Sequence, residues 1–206
     1  MVIGNGLIGK AFSAYSNNDD VCIFASGVSN SKTQNSDQFQ REIDLVKSNL
    51  DFNGLFVYFS TSSIDDPTLK DSKYIAHKLK IEALIKSQAP YFFIIRLPNV
   101  IGESENKNTL INFFKNSIIT KTPFSLQKNA RRYLIHIDKL FQIIDNTISN
   151  NNNFNIVANL VCSKSVSVID IVSNLEKDLK LKGDYNLIEG GSSYEVKVNP
   201  IFLPYI

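Results

Sequence analysis

The chain has 206 residues, 43% of them apolar, which suffices for one compact domain or for a domain with a small appendage. Its formal charge of +2 at pH 7 gives no electrostatic case for a nucleic-acid partner. No apolar run is long enough to span a bilayer, and the N-terminus lacks a signal-peptide pattern, so we expect a cytoplasmic protein with no membrane partner.

The two cysteines, Cys22 and Cys162, lie inside apolar, strand-like runs. Neither has the Cys/His spacing of a metal site. We therefore expect buried, inert thiols and no bound metal.

The first motif follows a short apolar start at residues 1–3 and reads G-N-G-L-I-G. Strand, glycine turn and helix in this order are typical of a dinucleotide site, where the turn and the helix N-terminus hold a pyrophosphate. The alternative is a glycine-rich turn that binds no ligand. The candidate cofactor-binding residues of the turn are Gly4, Asn5, Gly6, Leu7, Ile8 and Gly9.

Apolar runs and amphipathic segments then alternate along the chain. The predicted strands lie at 21–25, 55–59 and 91–97, and the predicted helices at 38–50 and 72–88. This alternation favours an α/β fold, a Rossmann-like parallel sheet with helices on both faces and a reduced number of strands.

The alternation changes after residue 102. Helices are predicted at 109–119, 139–148 and 168–181, and strands at 124–126 and 154–161, with short strands in the tail 185–206. We expect a Rossmann-like domain at 1–102 and a smaller, partly interleaved substrate-binding region at 103–206.

The most informative stretch joins the strand at 55–59 to the helix at 72–88. The strand ends in hydroxyl side chains, among them Thr61 and Ser62, and the helix carries Tyr74 and Lys78. Residues four apart on a helix share a face, so Tyr74 and Lys78 form a pair. Such a pair also arises by chance on surface helices, where the lysine is merely solvated.

This pair has a definite chemistry when a hydroxyl lies beside it. A tyrosine hydroxyl has a pKa of about 10, and a nearby ammonium lowers that pKa. The tyrosine then exchanges a proton with a substrate oxygen, which the Ser/Thr hydroxyl holds, while a cofactor carries the hydride.

Five segments in chain order make the signal specific: G-N-G-L-I-G, F-S-T-S-S-I, S-K-Y-I-A-H-K-L-K-I-E, R-L-P-N-V-I-G and R-R-Y-L-I-H-I-D. With them the chain resembles the extended short-chain dehydrogenase/reductase family, of the NAD-dependent epimerase/dehydratase type that acts on nucleotide sugars. The resemblance covers nearly the whole chain and implies NAD or NADP as cofactor.

The resemblance also implies roles for single residues. Tyr74 matches the catalytic acid/base and Lys78 its partner, while the catalytic hydroxyl is Thr61 or Ser62, with Thr61 preferred from S-T-S-S-I. Further implied contacts with the cofactor are those of Ala25, Ser26, Gly27, Tyr74, Lys78 and Pro98, and those with the substrate are Asn99 and Arg131. Arg132 stands where the family often has Asp, and His77 is expected to support the site rather than catalyse.

The chain departs from the family in its first half, which is short. Only one strand, 21–25, separates the glycine turn from the hydroxyl-ended strand, and it resembles the family's fourth strand, so the second and third are missing. The alternative is that 21–25 is the second strand, with Ser26 and Lys32 favouring a 2′-phosphate. No Asp or Glu ends that strand, so NAD versus NADP stays open.

The predicted function is therefore an oxidoreductase-type enzyme on a nucleotide-linked sugar: a reductase, epimerase or dehydratase. Reduction of a 4-keto group is favoured, because residues 62–64 lack the acidic pair that the family's 4,6-dehydratases place there. The alternative is a shortened, non-catalytic member that binds a nucleotide or sugar as a regulatory or assembly partner. The resemblance also implies a homodimer through the helices at 38–50 and 72–88.

Overall fold

The computed structural model describes residues 1–31, 33–152 and 154–206 and contains eleven strands within them. In chain order they are β1 (Val2–Ile3), β2 (Val21–Phe24), β3 (Leu55–Thr61), β4 (Phe92–Leu97), β5 (Asn99–Ile101), β6 (Phe124–Gln127), β7 (Arg131–Arg132), β8 (Leu134–His136), β9 (Ile156–Asn159), β10 (Val166–Ser167) and β11 (Tyr185–Ile188).

Six α-helices occur in the same described ranges. They are α1 (Leu7–Ala11), α2 (Ser36–Lys47), α3 (Lys73–Gln88), α4 (Leu110–Thr120), α5 (Ile137–Asn150) and α6 (Val168–Leu179). None of these helices has both the length and the apolarity that a membrane crossing requires.

The central sheet has five parallel strands in the order β1-β2-β3-β4-β9. All seven residues of β3 and all four of β2 are buried, as expected for strands covered on both faces. The predicted fold class, a Rossmann-like parallel sheet flanked by helices with few strands, is confirmed.

Side chains alternate between the two faces of β3 and β4, and each face has its own core. Val57 and Phe59 pack with α1, α5 and the C-terminal turn around Phe202. Phe56 and Tyr58 pack with α2 and α3 on the other face. The period of two along the strands therefore distributes the helices between two layers.

α1 and α2 lie on opposite faces of the sheet, although both connections step across it in the same direction. The connections β1–α1–β2 and β2–α2–β3 consequently have opposite hands, so one of them departs from the usual right-handed crossover. A doubly wound sheet has the order 3-2-1-4-5-6, with its first helix on the face opposite to those that follow the fourth strand. If the second and third strands of that order are removed, the first strand is followed directly by the fourth. α1 then stays on the face opposite to the helices that come after it.

β2 lies between β1 and β3 and pairs with both. In the doubly wound order this is the place of the fourth strand, whereas a second strand would lie at the other edge of the first. The sheet therefore agrees with the loss of the second and third strands, and the interpretation of 21–25 as the second strand is wrong.

Residues after β4 build three small sheets and a second apolar cluster. β5 pairs with β8, β6 with β11, and β7 with β10. Phe114, Ile118, Phe124 and Val172 form the centre of a cluster between α4, α6 and β6. α5 and β9 return to the central sheet, so the later half is interleaved with the first, and the boundary at residue 102 stays a prediction.

Several local expectations differ from the structure. The helix after the glycine turn is only five residues long, and α2 begins at Ser36 and ends at Lys47 instead of spanning 38–50. The tail forms one strand, β11, and a 3-10 turn at Pro200–Phe202 rather than a series of strands. Cys162 is partly exposed and lies outside the strands, so its expected burial in a strand is wrong, whereas Cys22 is buried in β2.

Candidate active site

The carboxyl ends of four neighbouring parallel strands bring the predicted site residues to one edge of the sheet. The glycine turn follows β1, residues 25–27 follow β2, Thr61 ends β3 and Pro98 follows β4. Thr61 is in register with Leu97, directly before Pro98. Because the crevice at this edge is where α/β sheets bind ligands, the residues are well placed for one site.

The three glycines of the turn have different surroundings. Gly4 has φ +118°, and a Cβ on it would lie 2.4 Å from the carbonyl oxygen of Ala25. A Cβ on Gly9 would lie 2.3 Å from the carbonyl oxygen of Gly4. A Cβ on Gly6 would meet nothing within 4 Å. The turn thus needs Gly4 for its backbone and Gly9 for close packing, while Gly6 faces open space where a phosphate can approach the backbone.

The remaining residues of the turn divide between solvent and core. Asn5 is exposed, whereas Leu7 and Ile8 are partly buried against the core that contains Phe12. The side chains of Leu7 and Ile8 therefore anchor the turn, and their backbone N–H groups belong to the N-terminal end of α1.

The loop after β2 is held by side chains of α2. Arg41 donates from Nη1 to Ser26 Oγ at 3.1 Å and from Nη2 to the Ser26 carbonyl oxygen at 2.9 Å. No Asp or Glu follows Phe24 in the described part of this loop, so an adenosine ribose has no carboxylate partner there. Lys32, predicted to favour a 2′-phosphate, lies outside the described residues.

The Thr61 side chain lies close enough to the Tyr74 hydroxyl to lower the pKa of Tyr74. Thr61 Oγ1 also accepts the N–H of Ser63 at 3.1 Å, which fixes the hydroxyl at the end of β3. Ser62 is the more deeply buried of the two candidate hydroxyl residues, with 1% of its surface exposed. Of the two candidates for the catalytic hydroxyl, the structure therefore favours Thr61.

Lys78 is buried behind Tyr74, with its Nζ 5.9 Å from the centre of the Tyr74 ring. Nζ lies 2.8 Å from the Tyr58 hydroxyl, 3.0 Å from Glu42 Oε1 and 3.4 Å from the Phe59 carbonyl oxygen. An ammonium has three N–H donors, and these three acceptors take all of them. The predicted contact of Lys78 with a cofactor thus requires it to give up a partner.

Gly27, in the loop after β2, lies next to the Lys78 ammonium. A Cβ at Gly27 would lie 2.7 Å from Lys78 Nζ and 3.1 Å from Glu42 Oε1. The predicted cofactor-facing loop therefore lies against the buried ion pair, and a side chain at Gly27 would have to displace the ends of Lys78 and Glu42.

Glu42 is the centre of the buried network and was not predicted from the sequence. Its Oε1 accepts from the Tyr58 hydroxyl at 2.6 Å, and its Oε2 accepts from the N–H of Val28 at 2.6 Å and lies 2.9 Å from His77 Nε2. Glu42 is 0% exposed. Its signal in the sequence was a carboxylate within the apolar stripe of α2, three residues after Phe39 and four before Val46.

The network shifts the pKa values of its members. Burial alone raises the pKa of Glu42, but the Lys78 charge and the hydrogen bonds from His77, Tyr58 and Val28 outweigh burial and hold it well below the usual range. Burial raises the pKa of Tyr74, the Lys78 charge lowers it, the Glu42 charge raises it and the Thr61 hydrogen bond lowers it, with a net rise. Tyr74 is therefore held in its protonated form.

A second buried carboxylate, Glu82 of α3, binds side chains at the same edge of the sheet. Arg96 donates from Nε to Glu82 Oε1 at 2.9 Å and from Nη2 to Oε2 at 2.8 Å, and Ser60 Oγ donates to Oε1 at 2.6 Å. These bonds tie α3 to the ends of β3 and β4, so they fix the helix that carries Tyr74.

The predicted substrate residues lie beyond β4. Asn99 Nδ2 donates to the Tyr133 carbonyl oxygen at 3.3 Å. Arg131 donates from Nε to Ser165 Oγ at 3.1 Å and from Nη2 to the Ser165 carbonyl oxygen at 2.6 Å. Both side chains therefore contact the later half of the chain.

Arg132 and the C-terminal tail meet the turn that follows β3. Arg132 Nη1 lies 3.5 Å from Asp66 Oδ2, and Ser192 Oγ donates to Asp66 Oδ1 at 2.8 Å. Burial raises the pKa of Tyr194, and the nearby Arg132 and Ser63 side chains oppose that rise. The tail thus covers the turn that follows Thr61, and Asp66 joins that turn to both Arg132 and Ser192.

Comparison with known proteins gives structures but no sequence relatives. No protein-family model matches the chain, and no curated protein sequence matches it. MoeE5 in complex with UDP-glucose and NAD is similar in structure, with a TM-score of 0.73 and 16% identity over 93% of this chain and 84% of that one.

Two further solved structures agree with the first. UDP-glucuronic acid 4-epimerase from Bacillus cereus, in complex with UDP-glucuronic acid and NAD, has a TM-score of 0.70 and 16% identity over 95% of this chain and 72% of that one. RMD from Pseudomonas aeruginosa, complexed with NADPH, has a TM-score of 0.67 and 12% identity over 94% and 86% of the two chains.

The chain has the fold of these enzymes. The resemblance noted in the sequence is thereby confirmed at the level of the fold. At such low identities the likeness carries no residue assignment, so the roles of the site residues are argued from their geometry.

Proposed function

We propose that the protein is an NAD(P)-dependent oxidoreductase that acts on a nucleotide-linked sugar, with reduction of a 4-keto group as its reaction. The observation that carries this proposal is the placement of the Thr61 hydroxyl beside Tyr74, backed by Lys78, at the same sheet edge as the open glycine turn. Proteins of this fold bind UDP-glucose with NAD, UDP-glucuronic acid with NAD, and NADPH.

The residues around the glycine turn fit a dinucleotide at its pyrophosphate. Open space in front of Gly6, and the N–H groups at the start of α1, suit an anion. The residues that would hold the cofactor are those of the turn 4–9, the loop 25–27 and Pro98. A bound reduced nicotinamide would supply the hydride for the new C–H bond.

Protein side chains supply the proton in this scheme. Tyr74 donates its hydroxyl proton to the carbonyl oxygen of the sugar, and the Thr61 hydroxyl holds that oxygen by a hydrogen bond. Lys78 acts on Tyr74 by its charge. Asn99 and Arg131 are the proposed contacts to the substrate, with Arg131 opposite its diphosphate.

Reduction is favoured over 4,6-dehydration because residues 62–64 are Ser, Ser and Ile, without an acidic pair. The nearest acid that the structure describes as buried in this turn is Asp66, which is already engaged by Thr68, Ser192 and Arg132. A protonated Tyr74 is also the form that a reduction needs at the start of the reaction.

The experiment is calorimetric titration of the purified protein with NAD, NADH, NADP and NADPH, followed by turnover of a 4-keto nucleotide sugar. The proposal expects binding of one pair, and loss of that binding in Gly6→Val, whose side chain would fill the open space. Ser149→Val, at an exposed position near the end of α5, is the control for adding the same apolar side chain elsewhere. If neither pair binds at millimolar concentration, the proposal fails.

One observation favours a second candidate, a non-catalytic protein that binds a nucleotide or sugar as a regulatory or assembly partner. All three N–H donors of Lys78 are used inside the protein, so Lys78 offers none to a cofactor ribose as the structure stands. Binding of a nucleotide sugar without binding of any cofactor is the result that would favour this candidate.

We also propose a homodimer that forms through α2 and α3. α3 presents Leu79 to solvent with 41% of its surface exposed, which suits an apolar contact between subunits. Multi-angle light scattering tests this, and Leu79→Glu should shift a dimer toward the monomer.

A further inference from the structure

The charges behind Tyr74 are balanced by a residue that no part of the sequence pattern singled out. Glu42 and Lys78 are both buried, at 0% and 3% exposure, and their side chains are 3.0 Å apart. A buried lysine near a tyrosine normally stabilises the phenolate. Here a carboxylate at hydrogen-bond distance from the lysine opposes that effect.

The geometry fixes Glu42 in this role. Four groups from three different segments surround its carboxylate: Lys78 and His77 of α3, Tyr58 of β3 and the N–H of Val28. No rotation of the side chain preserves these contacts, so the carboxylate cannot leave the lysine without breaking the network. Glu42 acts on Tyr74 by its charge, which raises the pKa of Tyr74 and so opposes the effect of the Lys78 charge.

We propose that Glu42 is a positioning residue that neutralises Lys78 and so keeps Tyr74 protonated, which sets the site to donate a proton to a carbonyl rather than to take one from an alcohol. This inference rests on the proposed function for its chemical consequence. Its electrostatic part concerns the protein alone.

The proton transfer balances in this scheme. The carbonyl carbon of the sugar accepts the hydride, the π electron pair moves to the carbonyl oxygen, and that oxygen takes the proton as the O–H bond of Tyr74 breaks. The phenolate that remains beside Lys78 is reprotonated from solvent before the next turnover.

The charged and titratable groups that face Tyr74 come from three elements. They are Lys78 of its own helix, Glu42 of α2 and Tyr58 of β3. Tyr58 stays uncharged because burial and then the Glu42 charge raise its pKa well above the ordinary value. Burial raises the pKa of Tyr74 most, and the remaining electrostatic effect comes from one positive and one negative charge. Changing either charge should move the Tyr74 titration in a known direction.

The test is titration of the ligand-free protein labelled with ¹³Cζ-tyrosine, in which Tyr74→Phe assigns the Tyr74 resonance. Glu42→Gln should lower the midpoint of the Tyr74 titration by about one pH unit or more, because the Lys78 charge is then unopposed. Glu176→Gln is the control: Glu176 is another buried carboxylate paired with a lysine, but it lies in α6. That variant should leave the midpoint unchanged.

Lys78→Met is the second variant, which keeps the inference testable if Glu42→Gln does not fold. It should raise the Tyr74 midpoint, because the remaining charge is negative. A midpoint that stays constant or rises in Glu42→Gln, or that stays constant or falls in Lys78→Met, overturns the inference.

The result is separable from that of the proposed function. The titration uses no cofactor and no substrate. A shifted midpoint in a protein that binds no cofactor would support the effect of Glu42 on Tyr74 and contradict its link to reduction. Turnover with an unshifted midpoint would contradict the role of Glu42 and support the proposed enzyme activity.

Discussion

Glu42 Oε1 and Lys78 Nζ lie 3.0 Å apart in a part of the protein that solvent does not reach. Their helices, α2 and α3, pack side by side on one face of the sheet. The ion pair therefore joins two helices and also stands directly behind the tyrosine at the sheet edge. Stability and chemistry are coupled at this pair, and the predictions below separate them.

Glu42 should make the free energy of unfolding depend on pH in acidic solution. Its pKa in the folded protein lies below the ordinary value of 4.5, so its stabilisation is present above about that pH and is lost as the pH falls through the folded value. Glu42→Gln should cost about 3 kcal/mol at neutral pH, because Lys78 loses its buried partner. The difference between wild type and variant should shrink as the solution is made more acidic. Urea unfolding at several pH values measures it, and a difference that grows in acid would contradict this account.

Arg96 should matter more for stability than its partly exposed position suggests. Arg96→Ala leaves the Glu82 carboxylate, 1% exposed, without its cation, and should destabilise the fold by about 3–5 kcal/mol. The control is Lys128→Ala, which breaks an exposed ion pair with Glu189 and should cost less than about 1 kcal/mol. Equal effects of the two variants in chemical unfolding would show that Glu82 is not held as the structure has it.

Substitutions at Gly6 and Gly9 should have different effects on the stability of the fold. Gly9→Ala places a Cβ 2.3 Å from the carbonyl oxygen of Gly4 and should destabilise the protein by about 2 kcal/mol or more. Gly6→Ala has free space and an ordinary φ of −73°, so its thermal unfolding should match that of the wild type. A Gly6→Ala protein that unfolds as early as Gly9→Ala would contradict the assigned roles.

Thr61 should matter more than Ser62 for turnover. Thr61→Val removes the hydroxyl beside Tyr74 and should lower kcat by about tenfold or more, and Thr61→Ser should restore it. Ser62→Ala should have the smaller effect on kcat. Because Thr61 also caps the turn that follows β3, thermal unfolding of each variant is measured alongside. A larger loss in Ser62→Ala than in Thr61→Val would exchange the two roles.

The fold could be predicted from the sequence because its signals are local. Continuous apolar runs marked β2, β3 and β4, and the spacing of apolar residues marked the helices between them. The order of the glycine turn, the hydroxyl-ended strand and the Tyr74–Lys78 helix then indicated which strand ends meet. The reduced number of strands was indicated by the small number of residues between Gly4 and Tyr74, compared with the family that the chain resembles.

The buried network could not be predicted in the same way. The helical period places Glu42 on the inner face of α2, but it does not identify a partner 36 positions away on another helix. The contact of Ser192 with Asp66 spans 126 positions, and nothing local to either residue indicates it. Both contacts depend on how separate elements pack, which becomes known only with the three-dimensional structure.

The most direct test of the central claim is the oxidation of NADH or NADPH by the protein in the presence of a 4-keto nucleotide sugar. The account predicts turnover that falls by about 10²–10⁴-fold in Tyr74→Phe. Tyr91→Phe, at the opposite end of the sheet beside the start of β4, should retain it. Absence of turnover with both cofactors over a panel of such sugars, or equal rates in wild type and Tyr74→Phe, would contradict the account.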